Sequence, residues 1–269
     1  MRKVIFLLLF VISFCFSNSL SEIREKGVVR IGVFDGQPPF SSFKNGSYEG
    51  FEIDFANELA KRIFGNKGGK VEFHTTYAKN RIEDLETNKV DIILATLTIN
   101  DERAKRVDFS MPYFSVNIGI LTKKADNIKK SSDLAGKKIL VENGTTAQAF
   151  YQKRGFDTET CPSSNECYKQ LKDRNDVYGY ANDNLIVLAY PVIDRGMEVN
   201  IKNLGTSDFL GLAVQKGNKE LLEFLNQTLI NLSKEHFFSN AFKNTIDPFY
   251  KGTAEEKYFL LDDIYRIFG

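Results

Sequence analysis

The sequence predicts an α/β chain of two lobes, the second inserted in the first through two extended crossings. Three observations carry that expectation. From Val28 onward, short apolar runs of strand length alternate with stretches of helical periodicity. A second series of such units begins after Phe114, and the run Phe209–Val214 then reads as a return crossing before a final helical stretch. Two α/β units joined in this way enclose a hinged cleft, which fits the order of elements better than one continuous sheet. The expected limits are 20–117 with 212–269 for the first lobe and 118–211 for the second.

The first residues stand apart from both lobes. Arg2-Lys3 is a basic start, Val4 to Phe16 is an apolar run too short to span a membrane, and Ser17-Asn18-Ser19 offers small residues for cleavage. Residues 1–19 therefore read as a signal peptide, with Leu20 as the mature start. Acylation at Cys15 is the rival reading, and Phe14 before it suits that processing poorly. The mature chain is expected to be exported, soluble and monomeric.

In the first lobe, Val28–Phe34 is an apolar strand followed by a proline-stiffened loop, Asp35 to Ser42. Asn45-Gly46 signals a turn. Phe51, Phe55, Leu59 and Ile63 recur at helical spacing, and glycines at 65, 68 and 69 end that helix. Lys70–Thr75 reads as a strand, Arg81–Glu86 as a helix, and Val90–Ala95 as a strand buried on both faces. Thr96 and Thr98 follow it, then Asn100 and Asp101 as caps of a short helix carrying Arg103, then an aromatic exit through Phe109, Tyr113 and Phe114.

Val116–Thr122 is the first crossing into the second lobe. There the expected strands are Lys137–Val141, Phe156–Thr160, Val177–Ala181 and Met197–Ile201. Helices are expected over Ser132–Gly136, from Thr145 or Thr146 to Arg154, over Asn165–Asp173 and over Asn184–Tyr190. Beyond the return crossing, Leu221, Leu222, Leu225, Leu229 and Leu232 form one apolar helical face. Glu255–Phe268 could add an amphipathic tail helix, with Tyr258, Leu261, Ile264, Tyr265 and Phe268 on one side.

Charge and composition narrow the function. Without Arg2 and Lys3 the chain holds 34 basic against 35 acidic residues, so nothing invites nucleic acid or an anionic membrane. The remaining cysteines, Cys161 and Cys167, frame Pro162-Ser-Ser-Asn-Glu166. In an oxidising compartment such a pair is most simply a disulfide, with two free thiols as the rival. A metal site is disfavoured, because His74 and His236 are the only histidines and neither is close in sequence. The chain has no GxSxG elbow, HExxH, P-loop or GxGxxG. No cofactor is expected.

Four features could carry a ligand. Arg103, alone an ordinary surface charge, follows Thr96 and Thr98 at the end of a buried strand, where hydroxyls and a guanidinium make a receptor for a small anion. Gly144-Thr145-Thr146 opens a helix whose free amides suit an anion as readily as a simple cap. Asp183 either caps the helix after it or meets a ligand ammonium. Arg81 is either a first-turn surface residue or a cleft residue facing an acidic or polar side chain.

The blocks GVVRIGVFDGQPPF (27–40), GFEIDFANELA (50–60), KVDIILATLTINDERAKRVDFSMPYF (89–114) and DLAGKKILVENGTTAQAF (133–150), with Asn182-Asp183, resemble the polar amino-acid family of periplasmic solute-binding proteins of ABC importers, family 3. The resemblance implies a periplasmic-binding-protein-like fold, with no enzymatic activity. By it, a free L-amino acid is captured in the cleft and delivered to the membrane permease subunits. Arg103 would hold the ligand α-carboxylate with Thr98 and Thr146, Thr96 would line the same pocket, and Asp183 would take the α-ammonium. Phe40 would cover the ligand and Arg81 would lie near its side chain. Gln37 stands where binders of basic amino acids tend to have an aromatic residue, which argues against Lys, Arg or His. The wording of the blocks is closest to the cysteine and acidic amino-acid branches. A cyclohexadienyl (arogenate or prephenate) dehydratase on the same scaffold is the rival from another class, and a sensor domain is a third.

Overall fold

The computed structural model describes residues 18–251. Cys15 and the apolar leader lie outside these residues, as does the tail expected to be helical over 255–268. Ser19 caps α1 (Leu20–Lys26) in a capping box with Glu22, and the Asn18 amide donates to Asp91 at 2.8 Å. β1 (Val28–Val33) leads to a small antiparallel sheet of β2 (Gly36–Gln37), β3 (Ser41–Lys44) and β4 (Ser47–Glu49). Its turn lies at Asn45-Gly46, both with positive φ. α2 (Phe51–Phe64) buries the expected stripe, Phe51, Phe55, Leu59 and Ile63. β5 (Lys70–Thr75) and α3 (Arg81–Glu86) have the expected limits.

Next come β6 (Ile92–Ile93), α4 (Asp101–Ala104) and β7 (Val107–Lys123). All of Val90–Ala95 is buried, yet only two residues make strand pairs: the run leaves the ladder at once to enter the loop of Thr96 and Thr98. β7 absorbs both the aromatic exit and the first crossing.

The second lobe holds β8 (Lys138–Glu142), α5 (Thr146–Lys153), β9 (Thr158–Cys161), α6 (Ser164–Asp173), β10 (Val177–Asp183), α7 (Asn184–Leu188) and α8 (Tyr190–Ile193). A 3-10 turn, Ser131–Leu134, stands where a short helix was expected. β11 (Met197–Gln215) returns to the first lobe, followed by α9 (Lys219–Lys234), α10 (Phe237–Ala241), a π-helical turn at Phe242–Ile246 and α11 (Asp247–Tyr250). The sequence suggested two separate strands at 197–201 and 209–214, whereas β11 is continuous. The stretch between them is largely exposed, so it carries none of the apolar signal that marks a buried strand.

One eight-stranded sheet has the order β5-β1-β6-β11-β7-β10-β8-β9. Its two flanks are parallel, as helical crossovers require, and its centre is antiparallel where β7 and β11 run side by side. The expected lobe limits, 117/118 and 211/212, fall inside these two strands. Each flank is covered on both faces. Phe51, Phe55, Leu94 and Leu229 pack on one face of the first lobe, and Phe34, Leu85 and Val90 on the other. In the second lobe, Leu140, Cys161, Cys167 and Tyr180 oppose Ile139, Val141, Ala147 and Tyr151. Cys161 and Cys167 form a disulfide, with Cα atoms 5.4 Å apart.

Candidate ligand-binding cleft

A narrow polar cavity lies between the lobes, at the carboxyl ends of β1, β6, β8 and β10. Phe34 and Ala78 are its apolar lining; the other lining residues are polar or charged.

Thr96 and Thr98 follow β6. Thr96 holds a positive φ of 40°, a strained setting for a β-branched residue. Three contacts fix it. Its amide donates to Glu52 Oε1 at 2.8 Å, its hydroxyl to Gln37 Oε1 at 3.1 Å, and its carbonyl accepts from Arg81 at 2.9 Å. Glu52 lies fully buried at the start of α2, where burial pushes its carboxyl up to about 7 despite the bonds from Tyr113 and Thr96. Thr98 is tied to β11 through the Ile99 amide, which donates to the Phe209 carbonyl at 2.8 Å.

Arg81, at the first turn of α3, is 2% exposed and so is not a surface residue. Its Nε donates to the Ala78 carbonyl at 3.1 Å, and Nη1 to those of Ala95 and Thr96 at 2.8 and 2.9 Å. Nη2 reaches the Gly144 carbonyl at 3.4 Å, and the guanidinium carbon stands 5.4 Å from the centre of the Phe34 ring. Most of its donors are therefore committed to backbone.

Arg103 is placed by Asn100, whose side chain accepts the Arg103 amide at 2.9 Å. Its Nη1 donates to the Thr98 carbonyl at 2.7 Å and its Nη2 to the Gly144 carbonyl at 2.9 Å. Burial, and Arg81 beside it, bring its pKa down to about 9, so it remains a cation at neutral pH. Two guanidinium groups, Arg81 buried and Arg103 half-buried, on one side of a small cavity form a site that favours an anion.

Asp183 stands at the end of β10 and is 6% exposed. Its carboxylate does not cap α7, and among the described residues no group donates to it. Burial, then the nearby Asp208, pushes it up to about 7, against the pull of Arg81 and Arg103. Thr145 caps α5 by accepting the Gln148 amide, and it lines the cavity together with Thr146.

Arg81, Thr96, Thr98, Arg103, Thr146 and Asp183 thus share one cavity. Phe40 does not. It is 1% exposed, with its ring edge-on to Phe114 at 5.3 Å and to Phe51 at 6.1 Å inside the first-lobe core. After Pro38-Pro39 the chain turns inward, and the Phe51 and Glu52 amides bond the Pro39 and Phe40 carbonyls. The aromatic residue that lines the cavity is Phe34. Sequence reading gave no separate role to Glu52 or Asp208, because each lies in an element whose local pattern carries no ligand signal, and it named Asn182 only beside Asp183. Among the described residues no cluster of His, Cys, Asp and Glu could hold a metal ion, and no helix is long and apolar enough to cross a membrane.

Comparison with known proteins gives concordant findings. Residues 29–244 match the family described as bacterial extracellular solute-binding proteins, family 3. The L-cystine-binding protein TcyJ of Escherichia coli (strain K12) is 29% identical over 233 residues, 83% of this chain and 84% of that protein. Among solved structures, the solute receptor for L-cysteine of Neisseria gonorrhoeae superposes with a TM-score of 0.86 at 36% identity, over 91% of this chain and all of that one. The cysteine-binding protein from Campylobacter jejuni superposes with a TM-score of 0.85 at 36% identity, over 90% and 98% of the two chains.

Proposed function

The chain belongs to the bacterial extracellular solute-binding proteins of family 3, and from that premise we propose that it captures one small, polar L-amino acid in the cleft. It is a binding protein of amino-acid import, not an enzyme. In our reading Arg103, Thr98 and Thr146 hold the α-carboxylate, Asp183 takes the α-ammonium, and Arg81 with Thr96 borders the ligand side chain. Phe34 covers the ligand in place of Phe40. Within the described residues the lobes are 20–117 with 212–251 and 118–211, and they close as rigid bodies on the ligand.

The observation that carries this reading is the charge arrangement. A carboxylate to which no group among the described residues donates, that of Asp183, shares a small cavity with two guanidinium groups. A zwitterion is costly to take out of water unless both of its charges are met, and here each charge finds its complement only when the lobes close. Cysteine is the first ligand to test, since the two structural neighbours at 36% identity carry that name and the cavity is small. We further propose that the protein works as a monomer in the periplasm after loss of residues 1–19, and that closure presents both lobes to the permease.

A thermal-shift screen of the free amino acids, with cystine included, tests the reading. A ligand at about 100 times its Kd adds about 2.7 kcal/mol, which raises Tm by roughly 5–10 °C. No shift with any amino acid, or turnover of arogenate or prephenate, would overturn it.

A further inference from the structure

The loop between β9 and α6 carries a contact that an amino acid does not itself need. The Cys161–Cys167 disulfide closes this loop, and both cysteines are buried. Inside it Ser163 caps α6 by accepting the Glu166 amide, which turns the next residue, Ser164, inward to 2% exposure. Ser164 belongs to the second lobe and does not line the cavity. Its Oγ accepts from Gln37 Nε2 of the first lobe at 3.0 Å and donates to Glu142 Oε2 at 2.7 Å.

These bonds extend into a directed chain across the cleft. Thr96 donates to the Gln37 carbonyl, Gln37 to Ser164, and Ser164 to Glu142, which also accepts from Asn182 Nδ2 at 3.0 Å. A hydroxyl has one proton. With the Ser164 proton spent on Glu142, Gln37 can meet Ser164 only with its amide nitrogen, so its carbonyl must face Thr96. Beside this chain α6 also approaches β2, and a Cβ added at Gly36 would come 2.5 Å from Asn165 Nδ2.

We propose that Ser164 is a positioning residue that latches the closed cleft through Gln37, and that the Cys161–Cys167 bridge serves to hold it in place. The proposal rests on the reading of the chain as an amino-acid binder. The Gln37–Ser164 bond exists only when the lobes touch, so it stabilises the closed state alone and acts on ligand release rather than entry. A cross-link around the loop reduces the conformations it would otherwise lose on closure.

Stopped-flow kinetics with the amino acid that best stabilises the wild type tests this, using Ser164→Ala, Gln37→Ala, the double variant of these two, and Cys161→Ser/Cys167→Ser. Loss of one ordinary buried hydrogen bond predicts release about tenfold faster in Ser164→Ala, with association within about twofold. Adding Ser164→Ala to Gln37→Ala should then bring no further acceleration, and the cysteine variant should release faster too. An unchanged release rate in folded Ser164→Ala overturns the latch, whether or not the cysteine variant folds. Should the wild type bind no amino acid, the binder reading fails by itself. The latch is then judged by small-angle scattering of the ligand-free chains, where equal radii of gyration for wild type and Ser164→Ala overturn it.

Discussion

The guanidinium of Arg103 reaches across the cleft to the carbonyl oxygen of Gly144 at 2.9 Å, and Arg81 lies 3.4 Å from the same oxygen. Two cations of one lobe converge on a single backbone dipole of the other. Gly144 holds a φ of +87°, and a Cβ there would stand 2.7 Å from the Lys79 Cα. Closure at this point brings main chain against main chain, with no side chain between.

Arg103→Ala should cost about 2–5 kcal/mol of ligand affinity, because a carboxylate buried in the cleft would lose its charged partner. The ligand-free Tm should fall slightly, since the Thr98 and Gly144 carbonyls lose their donors, with relief of Arg81 from a neighbouring cation offsetting part of the loss. Titration calorimetry with near-wild-type binding would remove Arg103 from the site.

Gly144→Ala should lower affinity at least tenfold, on the order of 1.4 kcal/mol, by holding the lobes apart. Gly155→Ala is the control. It has a φ of +72° but open space around its Cα, so it shares the backbone strain without the clash. Both variants should lose stability, and only the first should enlarge the ligand-saturated protein in small-angle scattering.

Arg81→Lys should destabilise the ligand-free protein by roughly 2–3 kcal/mol, because the carbonyls of Ala78, Ala95 and Thr96 lose a forked donor in a buried place. Arg81→Ala should also reorder affinities among Glu, Cys and Gln. If the order is unchanged, Arg81 is scaffold and not a reader of the ligand side chain.

Affinity and stability should respond to pH in opposite senses. Asp183 is pushed up to about 7, and pairing with an ammonium requires its ionised form, so affinity should fall as pH drops through about 7. Stability follows the reverse sign. Between the ordinary carboxylate range and about 7, the folded chain holds protons at Asp183 and Glu52 that the unfolded chain has released. Stability from these groups is therefore full below about 4 and declines as pH rises to 7, on the order of 10 °C in Tm between pH 5 and 7.5. Glu52→Gln should flatten the stability trend and leave the affinity trend in place.

Phe40→Ala should cost about 3–5 kcal/mol of stability, as for any large ring removed from a packed core, with affinity of the folded fraction little changed. Phe34→Ala should lower stability too, since Phe34 is also buried in the first-lobe core, and should in addition lower the affinity of the folded fraction. The pair of melting and binding curves distinguishes the two rings.

The alternation of strands and helices was legible because β1, β8 and β10 are covered on both faces and so read as apolar runs. Arg103, Thr98 and Asp183 were legible because polar residues stand just where such runs end. The sequence could not distinguish Phe34 from Phe40, since both flank the same loop and only the inward turn after Pro38-Pro39 decides which ring meets the cavity. Asp208 lies in the exposed stretch of β11, and Ser164 acts on a residue 127 positions away. Pairings of that range arise from lobe closure, and no local periodicity encodes them.

β7 and β11 are neighbours at the centre of the sheet, and each supplies part of itself to both lobes. Tyr250, near the end of the described chain, donates to the Leu185 carbonyl of α7, and Leu185 and Ile186 are buried in the first-lobe core. Neither half can therefore lose its order and leave the other's central ladder intact. The two lobes should therefore melt as a single cooperative unit, with one calorimetric transition. A fragment cut at the lobe limits should expose unpaired strand edges and aggregate instead of folding alone.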